Sequence, residues 1–304
     1  MTIRNRVKTA SVALLYRSAF DPKRTVRARG VGDPMVRSNR ALGYAPVMTP
    51  RQIHAARYVT PLREGGSLPA VIEGDDDGLY VLKFRGAGQG AKALVAEWIA
   101  GSLARACGLP VPEIVFVELD ADLARTEPDP EIQDLIRSSA GLNLALDYLP
   151  GAINFDPVAE QVDATLASQI VWLDAFVSNV DRTARNPNLM MWHNRLYLID
   201  HGAALYFHHA WNGRDVDPTR PFPLIRDHVL LSSADRLAAI DAAMAERLTP
   251  AVIEDIIAAV PDTWLQGPDA FADAATQRAA YNEYLVRRLA APRAFVQGAI
   301  DARA

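Results

Sequence analysis

The stretch SNVDRTARNPNLMMWHNRLYLIDHG, Ser178–Gly202, sets an acid (Asp181), two amides (Asn186 and Asn188) and a second acid (Asp200) around what reads as a tight pair of strands. Leu189–Trp192 and Leu196–Ile199 are short apolar runs, and His193, Asn194 and Arg195 between them suit a turn. If Trp192 pairs with Leu196, antiparallel register puts Asn188 opposite Asp200; a two-residue turn moves the pairing by one and leaves the two adjacent. Either register brings an amide oxygen and a carboxylate to one end of the hairpin. That pair suits Mg²⁺, which takes one or two protein ligands plus the phosphates of a substrate. Asp181 ends the preceding helical pattern, and its loop leads back to the same place. Standing alone, DRTARNPN also reads as an ordinary loop held by Asx turns, so the rest of the chain has to decide.

The chain has 304 residues, is 50% hydrophobic and carries a formal charge of -4, which suits one large domain or a two-part fold and argues against a broad nucleic-acid surface. Cys107, the only cysteine, excludes an intrachain disulfide and suits a reducing, cytoplasmic setting. Its neighbours Ala106, Gly108 and Leu109 mark it as a small core residue. No apolar run approaches the ~20 residues a membrane-spanning helix requires. Residues 1–47 stand apart, with Arg4, Arg6, Lys8, Arg17, Lys23, Arg24, Arg27, Arg29, Arg37 and Arg40 against only Asp21 and Asp33. They read as a basic, loosely ordered extension. Arg17 and Lys23 interrupt "TASVALLY" before a cleavage site, which argues against a signal peptide, and Met48 opens the first regularly patterned stretch.

From residue 48 the pattern is α+β: a strand-rich segment with one helix over 48–150, then a mostly helical segment over 151–304. LPAVIEG and GLYVLKFRG flank DDDG and predict a hairpin. KALVAEWIAGSLARACGLP predicts a helix that stops at Gly108 and Pro110. EIVFVELD and LNLALDYLPG predict strands. Asp156 and Pro157 suit the start of a helix running through Val162, Leu166, Ile170, Leu173 and Val177. SSADRLAAIDAAMAERL, TPAVIEDIIAAV and PDAFADAATQRAAYNEYLVRRL predict three more.

Strand alternation puts Val81 and Lys83 on one face and Tyr80, Leu82 and Phe84 on the other. A lone strand lysine is usually an edge or snorkelling residue. Glu97, however, has only Ala93, Leu94, Ala100 and Gly101 at three and four residues along its helix, so it needs a cation from elsewhere. Lys83, in the strand just before, is the candidate. Between them Gly86, Gly88 and Gly90 lie in RGAGQGAK, which suits either a phosphate-cradling turn or a plain strand-to-helix connection. His208 and His209 are adjacent, and adjacent side chains usually diverge, which argues against a zinc site.

The order Lys, Glu, Asp, Asn, Asp along a two-part chain is the order used by kinase-type phosphoryl transfer. Over about residues 50–295 the chain resembles the HipA-like kinases, on YVLKFRGAGQGAKALVAEWIAGSLARACGLPVPE, LDYLPG, NVDRTARNPNLMMW and LYLIDHGAAL. The resemblance implies a two-lobed protein-kinase-like fold, with a small β-rich N-lobe and a larger helical C-lobe, acting as an ATP-dependent phosphotransferase. It implies Lys83 on the α- and β-phosphates, Glu97 orienting it, Asp181 as the catalytic acid and Asp200 holding Mg²⁺ in a "DHG" counterpart of the kinase "DFG". Tyr148 and Leu149, at the hinge-like LDYLPG, would line the adenine pocket. In the family's pattern the metal-binding asparagine follows the catalytic acid by five residues, which is Asn186, whereas hairpin geometry favours Asn188. The expected acceptor is a protein Ser/Thr hydroxyl. Arg182 beside Asp181 also resembles the "DR" of phosphatidylinositol kinases, which keeps a small-molecule or lipid acceptor open, and a silent ATP-binding module is the third reading.

Overall fold

The computed structural model describes residues 50–62, 68–211, 216–265 and 271–304; the extension read at residues 1–47 lies outside them. Strands β1 (Arg51–Pro61), β2 (Ala70–Gly74), β3 (Leu79–Lys83), β4 (Ile114–Leu119) and β5 (Gly141–Asp147) close into a barrel in the order β1-β2-β3-β5-β4. Only β1 and β4 run parallel. The β2–β3 hairpin turns on the predicted DDDG: Gly74 N–H donates to Gly78 O at 2.8 Å, Gly78 N–H donates to Asp76 Oδ1 at 3.1 Å, and Asp77 takes a left-handed φ of 63° that aspartate tolerates.

The alternation read in β3 holds. Tyr80, Leu82 and the following Phe84 are buried with Ile72, Val115, Val117 and Ala145 in one cluster inside the barrel. The other faces of β4 and β5 present Ile114, Phe116, Leu144 and Leu146 to helix α1 (Ala91–Ala106). Helix α1 ends at Gly108, φ 75°, with Leu109 N–H reaching Ala104 O at 3.0 Å, the left-handed stop that glycine allows. A second helix, α2 (Pro130–Ser138), corrects the expectation of one helix in this half. Asp129 caps it through Glu131 N–H and Pro130 opens it, but only Ile132 and Ile136 are buried. Ile132, Leu135 and Ile136 do keep helical spacing, but over nine residues they are a short signal beside the flanking strands.

Helix α3 (Ala164–Phe176) starts later than expected. Asp163, not Asp156, accepts the Thr165 and Leu166 N–H groups, at 2.9 and 3.1 Å. Asp156 caps only a turn, through Val158 N–H at 2.9 Å. Both acids are competent caps, but Val158 is 94% exposed and only Val162, at the end of 157–162, packs against the core. Strands β6 (Ile153–Asn154), β7 (Leu189–Trp192) and β8 (Arg195–Leu198) form a second, antiparallel sheet. Helices α4 (Leu237–Arg247), α5 (Pro250–Ala258), α6 (Ala274–Leu289) and α7 (Ala294–Arg303) complete the chain.

One apolar core joins the halves: α1 residues Leu94, Trp98, Ile99 and Leu103 share a cluster with Trp172 and Phe176 of α3, Ile253 and Ile256 of α5 and Phe295 of α7. Trp98 Nε1–H donates to Ile256 O at 2.8 Å, so α1 is tied to the helical half as well as packed on the barrel. Among the described residues no helix is long and apolar enough to cross a membrane.

Candidate active site

Lys83 closes β3 on the barrel's outer face, and Glu97 faces it from the middle of α1. Lys83 Nζ donates to Glu97 Oε2 at 3.0 Å and also contacts Asp200 Oδ1. The Glu97 side chain is 1% exposed and that of Asp200 is 41% exposed, so one carboxylate is enclosed and the other open to a ligand. Burial alone would lower the Lys83 pKa, but the charges of Asp200 and Glu97 outweigh it and hold the ammonium well above its ordinary range. Burial likewise pushes Glu97 up, yet Lys83 and His201 hold it well below the usual carboxylate range. Both partners therefore stay charged.

His201 was missed in the sequence as a functional partner. It is fully buried, and its Nδ1 lies 3.4 Å from Glu97 Oε1. Gly101, one turn along α1, lets Ile114 pack close: a Cβ there would meet Ile114 Cδ1 at 2.6 Å but His201 Nδ1 only at an ordinary 3.6 Å.

The second group lies on the Asp181 loop and the β7–β8 hairpin. Trp192 pairs with Arg195 across a two-residue turn of His193 and Asn194, both with positive φ, so the shifted register applies. Ile199 N–H then bonds Asn188 O at 3.1 Å, leaving Asp200 one residue beyond. Asn188 and Asp200 both take left-handed φ, 49° and 53°, at the two ends of the hairpin, a conformation found at strained functional positions and cheapest for Asn and Asp. Asp181 Oδ2 accepts from Asn186 Nδ2 at 2.8 Å and Asn188 Nδ2 at 3.2 Å. Burial raises the Asp181 pKa and the nearby Asp200 charge adds to it, while the two amides pull it back, with the net shift upward. Asp181, Asn186, Asn188 and Asp200 thus come together beside Lys83 and Glu97.

Three expectations change. The glycines of RGAGQGAK lie in the β3–α1 turn, but Gly86 N–H donates to Ser139 Oγ at 3.0 Å and Gly90 N–H to Ala87 O at 2.9 Å. Those two amides are engaged within the protein. Gly86 is needed for closeness, since a Cβ there would meet Ser138 Oγ at 2.7 Å, and Gly90 for its φ of 69° at the start of α1. Second, Arg182 does not face an acceptor: it is 1% exposed and points inward to Asp174. Third, His208 and His209 do not diverge. They sit in one 3-10 turn with their Nε2 atoms 3.2 Å apart, and His208 Nδ1 is 3.0 Å from Tyr281 Oη. Burial and the neighbouring His209 hold His208 well below its usual pKa. Cys107 is buried as expected, and burial pushes its thiol up to about 12, far from a nucleophile's range.

Tyr148 and Leu149 follow β5 and link the two sheets. Tyr148 packs with Leu62 and Val71, beside Val81 on the Lys83 face of β3. Leu149 packs with Ala152 and Met190, beside Ile199 next to Asp200. Two small apolar clusters therefore flank this linker. Among the described residues no three His, Cys, Asp or Glu side chains gather to cage a metal. The donors that are present, a half-open carboxylate with carboxamides beside it, fit a hard cation that brings most of its oxygen ligands with a phosphate.

A strand lysine held by a helix glutamate, facing two acids on a loop and a hairpin, points to the class of kinases. The HipA-like kinase family model matches residues 56–293, and the chain belongs to that family, whose chemistry is kinase-type phosphotransfer. No curated protein matches significantly in sequence. Two solved structures are distantly similar: the Golgi casein kinase with Mn/ADP bound, at 12% identity and TM-score 0.42 over 84% of this chain and 73% of that one, and the Golgi casein kinase at 13% identity and TM-score 0.41, over 84% and 75%. A likeness of that degree carries no argument about this chain.

Proposed function

We propose that this HipA-like kinase transfers the γ-phosphate of ATP to a hydroxyl group, that of a protein serine or threonine. The observation that carries the reading is the Lys83 ammonium, enclosed with Glu97 and turned to the half-open Asp200. A lysine fixed by one buried acid and facing a second at the mouth of the site is what a polyphosphate bridging lysine and cation needs. In this reading Lys83 binds the α- and β-phosphates and Glu97 orients it. Asp200 with Asn188, or with Asn186 in its place, holds Mg²⁺. When bound, Mg²⁺ supplies positive charge that offsets the charge developing on the transferred group.

Asp181 aligns the acceptor hydroxyl and takes its proton, a role that its raised pKa favours because a more basic carboxylate is the better acceptor. Its two amide partners keep the carboxylate aimed. Tyr148 and Leu149 line the adenine site between the two apolar clusters, and Gly88 is the glycine left for phosphate contact. The β-rich N-lobe over 48–150 and helical C-lobe over 151–304 would close around the nucleotide, in a cytoplasmic protein. Arg182 bonds inward to Asp174, so its side chain lends no support to a phosphatidylinositol-type acceptor.

The test is incubation with γ-labelled ATP and Mg²⁺, alone and with cell lysate. Label on protein serine or threonine supports the reading. Label confined to the small-molecule or lipid fraction makes the acceptor class wrong, and ATP binding without any transfer makes the chain a silent module.

A further inference from the structure

Asp174 is the one charged side chain in α3, and it is fully buried. All of its polar contacts lead to the Asp181 loop or to the segment clamped on it. Its Oδ1 accepts from Asn179 Nδ2 at 2.9 Å, and Asn179 Oδ1 in turn accepts the N–H of Asp181 at 3.1 Å. Its Oδ2 accepts from Arg182 Nε at 2.6 Å. The Arg182 guanidinium continues to the Asn188 carbonyl and, at 3.4 Å, to that of Ile199, tying the loop to both sides of the open end of the metal-side hairpin.

The third partner comes from 54 residues further along the chain. His228 Nε2 lies 2.9 Å from Asp174 Oδ2. Leu230 N–H donates to His228 Nδ1 at 3.0 Å, so the ring proton belongs on Nε2 and points at Asp174. The same segment pairs with the loop through backbone: His228 forms a bridge with Thr183, and Val229 N–H donates to Arg182 O at 3.0 Å.

A buried ion pair adds little to stability over an apolar core, and here Arg182 Nη2 is left buried without a partner. The arrangement makes more sense as geometry than as stability, because its bonds end on the backbone of Asp181, Arg182, Asn188 and Ile199. We infer that Asp174 and His228 are positioning residues for phosphotransfer, with the neutral imidazole of His228 holding Asp174 so that Asn179 and Arg182 fix the Asp181 carboxylate against the hairpin. The inference rests on the kinase reading of Asp181. Burial would raise the Asp174 pKa, but Arg182, His228 and Asn179 keep it well below the usual range, so the carboxylate stays an acceptor for all three.

Two near-isosteric substitutions separate the bonds of His228. His228→Gln keeps a donor near Nε2 and loses the acceptor near Nδ1; His228→Asn keeps the acceptor and loses the donor. With Mg²⁺-ATP and the acceptor labelled by the wild-type chain, His228→Asn is expected to lower kcat about 10- to 100-fold with KM for ATP within about twofold, since a displacement near 1 Å is worth about 100-fold. His228→Gln is expected to recover most of the rate. Amide hydrogen exchange of residues 179–188, read without any activity, should quicken in His228→Asn and stay near wild type in His228→Gln. Equal behaviour of the two variants in rate and exchange, at matched thermal stability, overturns the inference. If the wild type transfers no phosphate, the kinase reading fails while the exchange result still decides whether His228 orders the loop. If His228→Asn does not fold, Asn179→Ala cuts the bond to the Asp181 amide and is judged by the same two readouts, unchanged exchange and kcat counting against the inference.

Discussion

Lys83 and Glu97 meet at 3.0 Å between a barrel strand and a helix, and the same ammonium touches Asp200, 117 residues along the chain. The contact therefore joins three separate stretches of sequence. Removing one partner of a buried pair leaves an uncompensated charge, which typically costs about 3–5 kcal/mol. Lys83→Met should destabilise the chain by that order in urea unfolding, because the enclosed Glu97 carboxylate loses its cation, and adding Glu97→Met should recover much of it. A loss below about 1 kcal/mol for the single change, on the scale of an exposed pair, would show that the pair is not enclosed.

The two asparagines differ in setting. Asn188 is 8% exposed and sits at the end of the hairpin in left-handed backbone beside Asp200, whereas Asn186 is exposed on the loop. Both bond Asp181. Asn188→Ala should weaken Mg²⁺-dependent nucleotide binding more than Asn186→Ala, measured by calorimetric titration of ATP with and without Mg²⁺. The reverse ranking would assign the metal to the asparagine five residues after the acid.

Asp147, at the end of β5, is pushed up to about 6 by burial and by the charge of Glu113, with Arg51 opposing. Its folded pKa lies above the unfolded value near 3.9. The folded state therefore keeps a proton that the unfolded chain releases, and stability falls as pH rises through roughly 4 to 6. Asp147→Asn should flatten that window and stabilise the chain at pH 8 by about 1 kcal/mol, a figure reduced for solvent screening of a partly exposed group. Thermal unfolding at pH 4.5 and pH 8 checks it, and a variant less stable than wild type at pH 8 would contradict the sign.

How much of this was legible depended on whether the signal was local. The β2–β3 hairpin, α1 and the β7–β8 pair announced themselves through turn residues and periodicity, and the missing local cation around Glu97 pointed correctly to Lys83. The register of Asn188 against Asp200 could be narrowed to two choices, and the His193–Asn194 turn selected one. Helix α2 went unread because the helical spacing of Ile132, Leu135 and Ile136 spans only nine residues. For Gly86, Gly90 and Arg182 the alternatives stayed open for a shared reason: a sequence shows which groups are capable of bonding, not which are already bonded. The long-range partner of Asp174, His228, carried no local signal, although a lone acid in the apolar run QIVWLDAF was a visible anomaly.

The central claim is that Asp181 acts on the acceptor and Asp200 on the nucleotide's cation. The most direct measurement compares ATP affinity and the rate of label transfer for Asp181→Asn and Asp200→Asn, at matched thermal stability. Asp181→Asn should keep nucleotide affinity nearly intact while transfer falls ~100- to 10,000-fold, the range for loss of a positioned base. Asp200→Asn should lose both, because charge is removed from the metal-binding position itself. Wild-type turnover in Asp181→Asn, or unchanged Mg²⁺-ATP affinity in Asp200→Asn, would contradict the account.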